Sequence, residues 1–131
     1  MGRFAVETAM DFDSIEKIIV ADINEKSAID FAKSMNEKVS GIGLDITNTE
    51  KLKEKMLSVD VVINTVGPFF KFGPPVLEAA IECGCHYLDI NDDWEPTIEM
   101  LKYNDDASSK GVTAILGMGA SPGLTNMLGA E

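Results

Sequence analysis

The segment MGRFAVETAMDFDSIEKIIVADIN (1–24) contains the order of elements that decides the fold. Its apolar residues first recur at the spacing of one helix face, at Ala5, Val6, Ala9 and Met10. KIIVADI (17–23) then follows as a β-branched run without alternation, which is typical of a strand buried on both faces. The segment therefore predicts a helix that leads into a buried strand ending in an acid.

The same alternation continues along the rest of the chain. Strand character returns in KVSGIGLDI (38–46), VDVVINTVG (59–67), HYLDI (86–90) and VTAILGMG (112–119). Helical spacing lies between these runs, in SAIDFAKSMN (27–36), in a segment capped by Thr47 or Asn48, in PVLEAAIEC (75–83) and around Ile98. Buried strands alternating with helices predict the α/β class, a doubly wound parallel sheet with helices on both faces.

Two helix details follow from local residue chemistry. Gly67-Pro68 and the GPP at 73–75 should bracket a loop, with Pro75 in the first turn of the next helix and Gly84 at its end. In the polar segment 91–111, Ile98, Leu101 and Met100 should face inward.

The spacing of Gly2 and Asp22 indicates a ligand. In dinucleotide-binding α/β folds, a G-x-G-x-x-G turn opens the first helix, and an acid about 20 residues later ends the second strand and binds the adenosine ribose. Asp22 follows Gly2 by 20 residues, which makes Gly2 the third glycine of that turn. A flexible terminus at Gly2 and a solvated strand end at Asp22 are the ordinary alternatives.

On this interpretation the first strand and the first two glycines would precede Met1, because that strand lies in the middle of the sheet. We therefore expect residues 1–131 to be a dinucleotide-binding domain, as a fragment truncated at both ends and without its substrate domain.

The amino-acid composition argues against several classes of function. With 11 basic against 22 acidic residues and a net charge of -11, the chain should repel nucleic acid. No apolar run approaches the length of a membrane span, and a cytoplasmic location is expected. Cys83 and Cys85 are separated by one residue with no second cluster, so no metal site is predicted.

Three strand ends could carry chemistry. The carboxyl end of the strand 59–67 carries Asn64, Thr65, Val66, Gly67 and Pro68, where a backbone group could reach the nicotinamide ribose past Gly67, although a plain Gly-Pro turn explains them equally. Asp45 and Ile46 could border the adenine, or Asp45 could cap the next helix. Asp89 could bind a substrate ammonium or tune a proton transfer, or belong to a helix-capping acidic loop.

These residues resemble a family. The succession GR, VADIN, LDIT, VINTVGPF, HYLDI and GASPGLTN is similar to the cofactor domain of the saccharopine dehydrogenase and L-lysine dehydrogenase group. The resemblance covers essentially the whole chain. It is most specific in NTVGPF, GCHYLDI and the Pro-Gly turn at Pro122.

The resemblance implies the following cofactor contacts: Gly2, Arg3, Asp22, Ile23, Asp45, Ile46, Thr65, Val66, Gly67, Pro68 and Ile90. It places Asp89 near the nicotinamide and the substrate, as the catalytic candidate.

The implied function is that of a cofactor domain of an NAD(P)-dependent oxidoreductase acting on a C–N bond of an amino acid of the saccharopine or lysine type. The implied partners are a small amino-acid substrate and a second copy, in a homodimer formed through a domain outside this chain. A non-catalytic nucleotide sensor is the alternative. NAD should be preferred and NADP remains possible, because Asp22 would repel a 2′-phosphate that Lys26 could still reach.

Overall fold

The computed structural model describes residues 1–130, in which five strands alternate with seven helices. The strands are β1 (Ile18–Asp22), β2 (Val39–Gly43), β3 (Val61–Asn64), β4 (His86–Asp89) and β5 (Ala114–Ile115). The helices are α1 (Gly2–Ala9), α2 (Glu25–Lys33), α3 (Thr49–Met56), α4 (Phe69–Cys83), α5 (Trp94–Leu101), α6 (Asn104–Ser109) and α7 (Leu124–Leu128). None of these helices is long and apolar enough to cross a membrane.

The chain divides into two compact units, and the first ends at Lys51. In this unit β1 and β2 pair in parallel, with Asp22 opposite Gly43. Helix α2 lies so close to β2 that a Cβ at Gly41 would stand 2.3 Å from the Ala28 carbonyl oxygen. A side chain at position 41 is therefore excluded by backbone atoms.

The second unit begins at Leu52 and holds the parallel sheet β3-β4-β5, with β4 in the middle. In the register, Asn64 lies opposite Asp89 and Leu88 lies opposite Ile115. Helix α4 supplies much of the core of this unit through Val76, Leu77, Ala79, Ala80 and Ile81. Parallel strands joined through helices confirm the predicted α/β class.

Helix α4 differs from its prediction at its start. It begins at Phe69 and runs through Pro74 and Pro75, so the expected loop at 69–73 is helical and Pro75 is not in the first turn. The two prolines lack the N–H groups that would bond the carbonyls of Phe70 and Lys71. Both of those residues are exposed, which lets solvent bond their carbonyls. The end of α4 is as predicted, because Gly84 caps it with a φ of 71°.

Helix α5 turns a different face inward from the one predicted. Met100 is buried, as expected, but Ile98 and Leu101 are 54% and 59% exposed. The buried face instead carries Pro96 and Met100, and Met100 packs on α4 where a Cβ at Gly73 would lie 3.2 Å from its sulfur. The contact with α4 therefore determines which face of α5 is buried, and the apolar spacing does not.

We expect Gly41→Ala to lower the free energy of unfolding by about 1 to 3 kcal/mol, because the methyl group must displace the backbone of α2. Thermal unfolding of the purified protein measures this. Gly67→Ala is the matched control, since no atom lies within 4 Å of its Cβ position. Equal melting temperatures for Gly41→Ala and the parent protein would contradict the close approach of α2.

Candidate cofactor-binding site

Asp22 stands at the carboxyl end of β1 with its carboxylate exposed. Its Oδ1 accepts a hydrogen bond of 2.8 Å from the Asn24 N–H. Asn24 in turn caps α2, because its Oδ1 accepts the Ser27 N–H at 3.1 Å. The strand end and the helix start thus fix the direction of the Asp22 side chain, and Oδ2 has no hydrogen-bond partner within residues 1–130. One carboxylate oxygen remains available to ribose hydroxyls.

Asp45, after β2, forms a local turn. Its Oδ1 accepts the Thr47 N–H at 2.9 Å and the Thr47 hydroxyl at 2.7 Å. The hydroxyl bond, followed by the backbone bond, lowers the pKa of Asp45. The cap of α3 is Asn48, whose Oδ1 accepts the Lys51 N–H at 3.1 Å. Asp45 is therefore an exposed, ionised turn residue beside half-buried Ile46.

Gly2 and Arg3, at the start of α1, also belong to the first unit. No side chain caps this helix, which leaves the N–H groups of its first turn open to an anion. The Arg3 guanidinium lies 5.1 Å from the centroid of the Phe31 ring, in a cation-π contact. Ile23, which follows Asp22, is 76% exposed.

In the second unit, the loop after β3 presents an open surface. The Val66 N–H donates to Asn64 Oδ1 at 3.0 Å, and Pro68 opens α4 with its carbonyl oxygen accepting the N–H groups of Lys71 and Phe72. Thr65 is half-buried, whereas Val66, Gly67 and Pro68 are exposed. A Cβ at Gly67 would meet no atom within 4 Å, so a ligand can approach the backbone there.

Asp89, at the end of β4, is only 1% exposed and all of its hydrogen bonds go to the chain itself. Its Oδ1 accepts the N–H groups of Gly117 at 2.7 Å and Asn91 at 3.1 Å. Its Oδ2 accepts the Tyr87 hydroxyl at 2.9 Å. The catalytic role of Asp89 stays a prediction, and this burial favours a different role, developed below.

Tyr87 links Asp89 to the neighbouring strand. Its hydroxyl oxygen accepts the Asn64 side-chain amide at 3.2 Å. Burial, and then the charge of Asp89, raises the pKa of Tyr87 far above its usual value. The phenol is thus a permanent hydrogen-bond donor and not a proton-transfer group near neutral pH.

Asn91 locks the loop after β4 and is completely buried. Its Oδ1 accepts the Asp93 N–H at 3.0 Å, and its Nδ2 donates to the Asp93 carbonyl at 3.1 Å and to the Thr97 hydroxyl at 2.7 Å. No buried side-chain nitrogen or oxygen within residues 1–130 lacks a hydrogen-bond partner. This polar core is completely satisfied.

Sequence reasoning did not find the links between Tyr87, Asp89 and Gly117. One signal was present, because Tyr87 and Asp89 are two apart on a strand and so face the same side. The bond to Gly117 joins residues 28 positions apart and has no local signal. Gly117 itself, with a φ of 71° and Asn91 O 3.2 Å from its Cβ position, has room for no side chain.

Each unit thus gathers its own set of expected residues. Gly2, Arg3, Asp22, Ile23, Asp45 and Ile46 lie at strand or helix ends of the first unit, and Thr65 to Pro68, Asp89 and Ile90 follow or end strands of the second. In the first unit the carboxylate of Asp22 is exposed, and in the second unit the backbone at Gly67 is open. Within residues 1–130 no group of three His, Cys, Asp or Glu side chains could hold a metal ion.

Comparison with solved structures supports this fold. The chain is similar to the apo, histidine-tagged saccharopine dehydrogenase (L-Glu forming) from Saccharomyces cerevisiae, with a TM-score of 0.82 and 21% sequence identity. The match covers 97% of this chain and 27% of the yeast chain. This likeness confirms the Rossmann-type fold.

Curated relatives carry related names. A saccharopine dehydrogenase-like oxidoreductase from Homo sapiens is 37% identical over 95 residues, which cover 70% of this chain and 22% of the relative. A lipid droplet localized protein from Caenorhabditis elegans is 27% identical and is covered to 30% of its length. The chain thus spans under a third of these relatives.

These names contradict the expected cytoplasmic location. The Caenorhabditis elegans relative is named for lipid droplets, and a relative from Arabidopsis thaliana, 26% identical over 84% of this chain, is named as a probable mitochondrial saccharopine dehydrogenase-like oxidoreductase. The expectation of a cytoplasmic protein was wrong because it rested only on the lack of a visible signal, which carries no information on location.

The family model of the saccharopine dehydrogenase NADP binding domain matches residues 1–115. This match confirms the expected cofactor class, a nicotinamide adenine dinucleotide. The chain belongs to the saccharopine dehydrogenase NADP binding domain family.

Proposed function

We propose that residues 1–131 form the dinucleotide-binding domain of an enzyme that transfers a hydride between NAD(P) and a nitrogen-bearing carbon of an amino acid, of the saccharopine or lysine type. The observation that carries this proposal is the family match over residues 1–115, within which Gly2 opens α1 and Asp22 ends β1. The names of the human and yeast relatives support the substrate type. Association into a homodimer stays a prediction.

In this proposal the first unit binds the adenosine half of the cofactor. Asp22 Oδ2 accepts hydrogen bonds from the ribose hydroxyls, and the N-terminus of α1 at Gly2 faces the pyrophosphate. Arg3, held against Phe31, adds positive charge at the same helix end. Ile23 and the pair Asp45 and Ile46 border the adenine.

The second unit binds the nicotinamide half. Thr65, Val66, Gly67 and Pro68 offer backbone groups and no side chain at position 67, so the ribose can approach closely. Ile90, which is half-buried beside Gly119, gives an apolar wall. These roles need fixed loops, and the hydrogen bonds of Asn64 and Asn91 fix them.

When bound, the nicotinamide supplies the hydride acceptor or donor. Oxidation at the nitrogen-bearing carbon removes a hydride from carbon and a proton from nitrogen, which gives an imine that water hydrolyses to a carbonyl compound and an amine. In this proposal the described residues of this chain bind and orient, and the Tyr87 hydroxyl, which is buried and donates to Asp89 Oδ2, is not placed to take that proton.

The first test of this function is turnover. We expect the complete protein that carries this domain, and not residues 1–131 alone, to reduce NAD or NADP when saccharopine or lysine is added, measured by the absorbance of the reduced nicotinamide. A tight complex with the cofactor and no reduction by either compound would favour a nucleotide sensor instead. Absence of cofactor binding would contradict both functions.

The second test concerns Gly67. We expect Gly67→Val to weaken cofactor binding at least ~10-fold without changing the melting temperature, because its side chain enters space that the protein leaves open. Titration calorimetry gives the dissociation constants. Ser108→Val adds a similar group on exposed α6 of the same unit and serves as the control. An unchanged cofactor affinity in Gly67→Val would show that the loop after β3 is not part of the binding site.

The third test concerns the choice of cofactor. We expect NAD to bind at least ~10-fold more tightly than NADP, about 1.4 kcal/mol, because the Asp22 carboxylate repels a 2′-phosphate. Asp22→Ala and Asp22→Ser should lose most of this preference. Asp30→Ala, at an exposed position of α2, removes the same charge and should keep it. The family description names NADP. A preference of the native protein for NADP would show that Asp22 does not select the cofactor at the adenosine ribose.

A further inference from the structure

Three loops follow the three strands of the second unit, and two of them share one buried oxygen atom. The loop after β4 contributes the Asn91 N–H and the loop after β5 contributes the Gly117 N–H, both to Asp89 Oδ1. The Asp89 carbonyl oxygen also accepts the Met118 N–H at 2.8 Å. The relative position of these two loops is therefore set by a single residue at the end of β4.

We propose that Asp89 is a positioning residue, whose buried Oδ1 holds the loops after β4 and β5 in the arrangement that receives the nicotinamide half of the cofactor. The proposal rests on the proposed function, which places that half of the cofactor on the second unit. Ligands of α/β sheets bind beyond the carboxyl ends of the strands, which is where both loops lie.

The other contacts of Asp89 agree with such a role. Oδ2 accepts the Tyr87 hydroxyl, and Asp89 is only 1% exposed, so neither oxygen is open to a substrate ammonium. The Tyr87 contact also fixes the rotation of the carboxylate, because the phenol ring is fully buried. Further contacts restrict the two loops. In the loop after β4, the Asn91 side chain binds Asp93 and Thr97, and in the loop after β5, a side chain at Gly117 would have to displace its neighbours.

The oxygen, and not the charge, is what this role requires. An asparagine at position 89 can present its amide oxygen to the same two N–H groups, whereas an alanine presents nothing. A catalytic acid or base would instead show an equal loss of turnover in both variants, because an asparagine is as inert as an alanine in proton transfer. Asp89→Asn and Asp89→Ala therefore separate the two roles.

The experiment measures amide hydrogen exchange without cofactor and dissociation constants with it, on the expressed protein. We expect Asp89→Ala to speed exchange selectively in segments 90–93 and 116–119 and to weaken cofactor binding at least ~10-fold. Asp89→Asn should stay within about threefold of the parent protein in affinity and keep the exchange of both loops slow.

Tyr87→Phe is the matched control, since it removes one buried hydrogen bond of the same carboxylate and leaves both loop N–H groups on Oδ1. It should lower the melting temperature and keep the loops and the affinity as they are. If Asp89→Ala does not fold, Asp89→Leu replaces it, because leucine fills a similar volume and presents no oxygen to the Asn91 and Gly117 N–H groups. Asp89→Leu should then speed exchange in 90–93 and 116–119 and weaken cofactor binding.

Three results would overturn the proposal: parental loop exchange and affinity in Asp89→Ala, or in Asp89→Leu where that variant replaces it; an affinity in Asp89→Asn as weak as in Asp89→Ala; or the same loosened loops in Tyr87→Phe. A parent protein that binds neither NADH nor NADPH would instead contradict the proposed function. The exchange measurements without cofactor would still decide whether Asp89 holds the loops.

Discussion

A carboxylate that is cut off from water must receive its hydrogen bonds from the chain that encloses it, and Asp89 receives three. Leaving a buried donor or acceptor unpaired costs about 1 to 3 kcal/mol, and more when the group is charged. The surrounding chain is therefore arranged around this residue: Tyr87 turns its hydroxyl inward, Gly117 adopts a positive φ to bring its N–H close, and Asn91 turns back toward the strand end.

The same residue type has a different environment in the first unit. Asp22 and Asp45 also follow or end parallel strands, but both are exposed and each forms only a local turn, with Asn24 and Thr47 respectively. An exposed carboxylate with a free oxygen is open to a ligand, whereas a buried carboxylate with three donors is engaged by its neighbours. Burial, and not position at a strand end, therefore separates the acids proposed to bind the cofactor from the acid proposed to position the loops.

The sequence predicted the order of the elements because helix and strand periodicity are local properties. It also predicted local caps: Thr47 or Asn48 before α3, of which Asn48 is the cap, and Gly84 after α4, since each depends on residues within one turn. It missed the start of α4, where prolines usually argue against a helix but exposed carbonyls tolerate them.

What the sequence could not supply was burial. The inward face of α5 depends on its contact with α4 at Gly73. The hydrogen bonding of Asp89 depends on Gly117, which lies 28 residues further along the chain. Both are long-range contacts, and no local pattern encodes them. For this reason the strand-end acids could be located from the sequence, but their roles could not be told apart.

The second unit presents a fixed backbone at the carboxyl ends of its strands, and the ionisable groups of β4 are already engaged. His86 lies at the opposite, amino-terminal end, where its Nδ1 accepts the Thr113 N–H at 3.0 Å. Tyr87 cannot release its proton near neutral pH, and Asp89 is saturated with donors. In the proposed function such a domain contributes by orientation, since a misplacement of about 1 Å in reacting groups can cost on the order of a hundredfold in rate. Under the same proposal, the side chains of β4 hold the neighbouring loops in place.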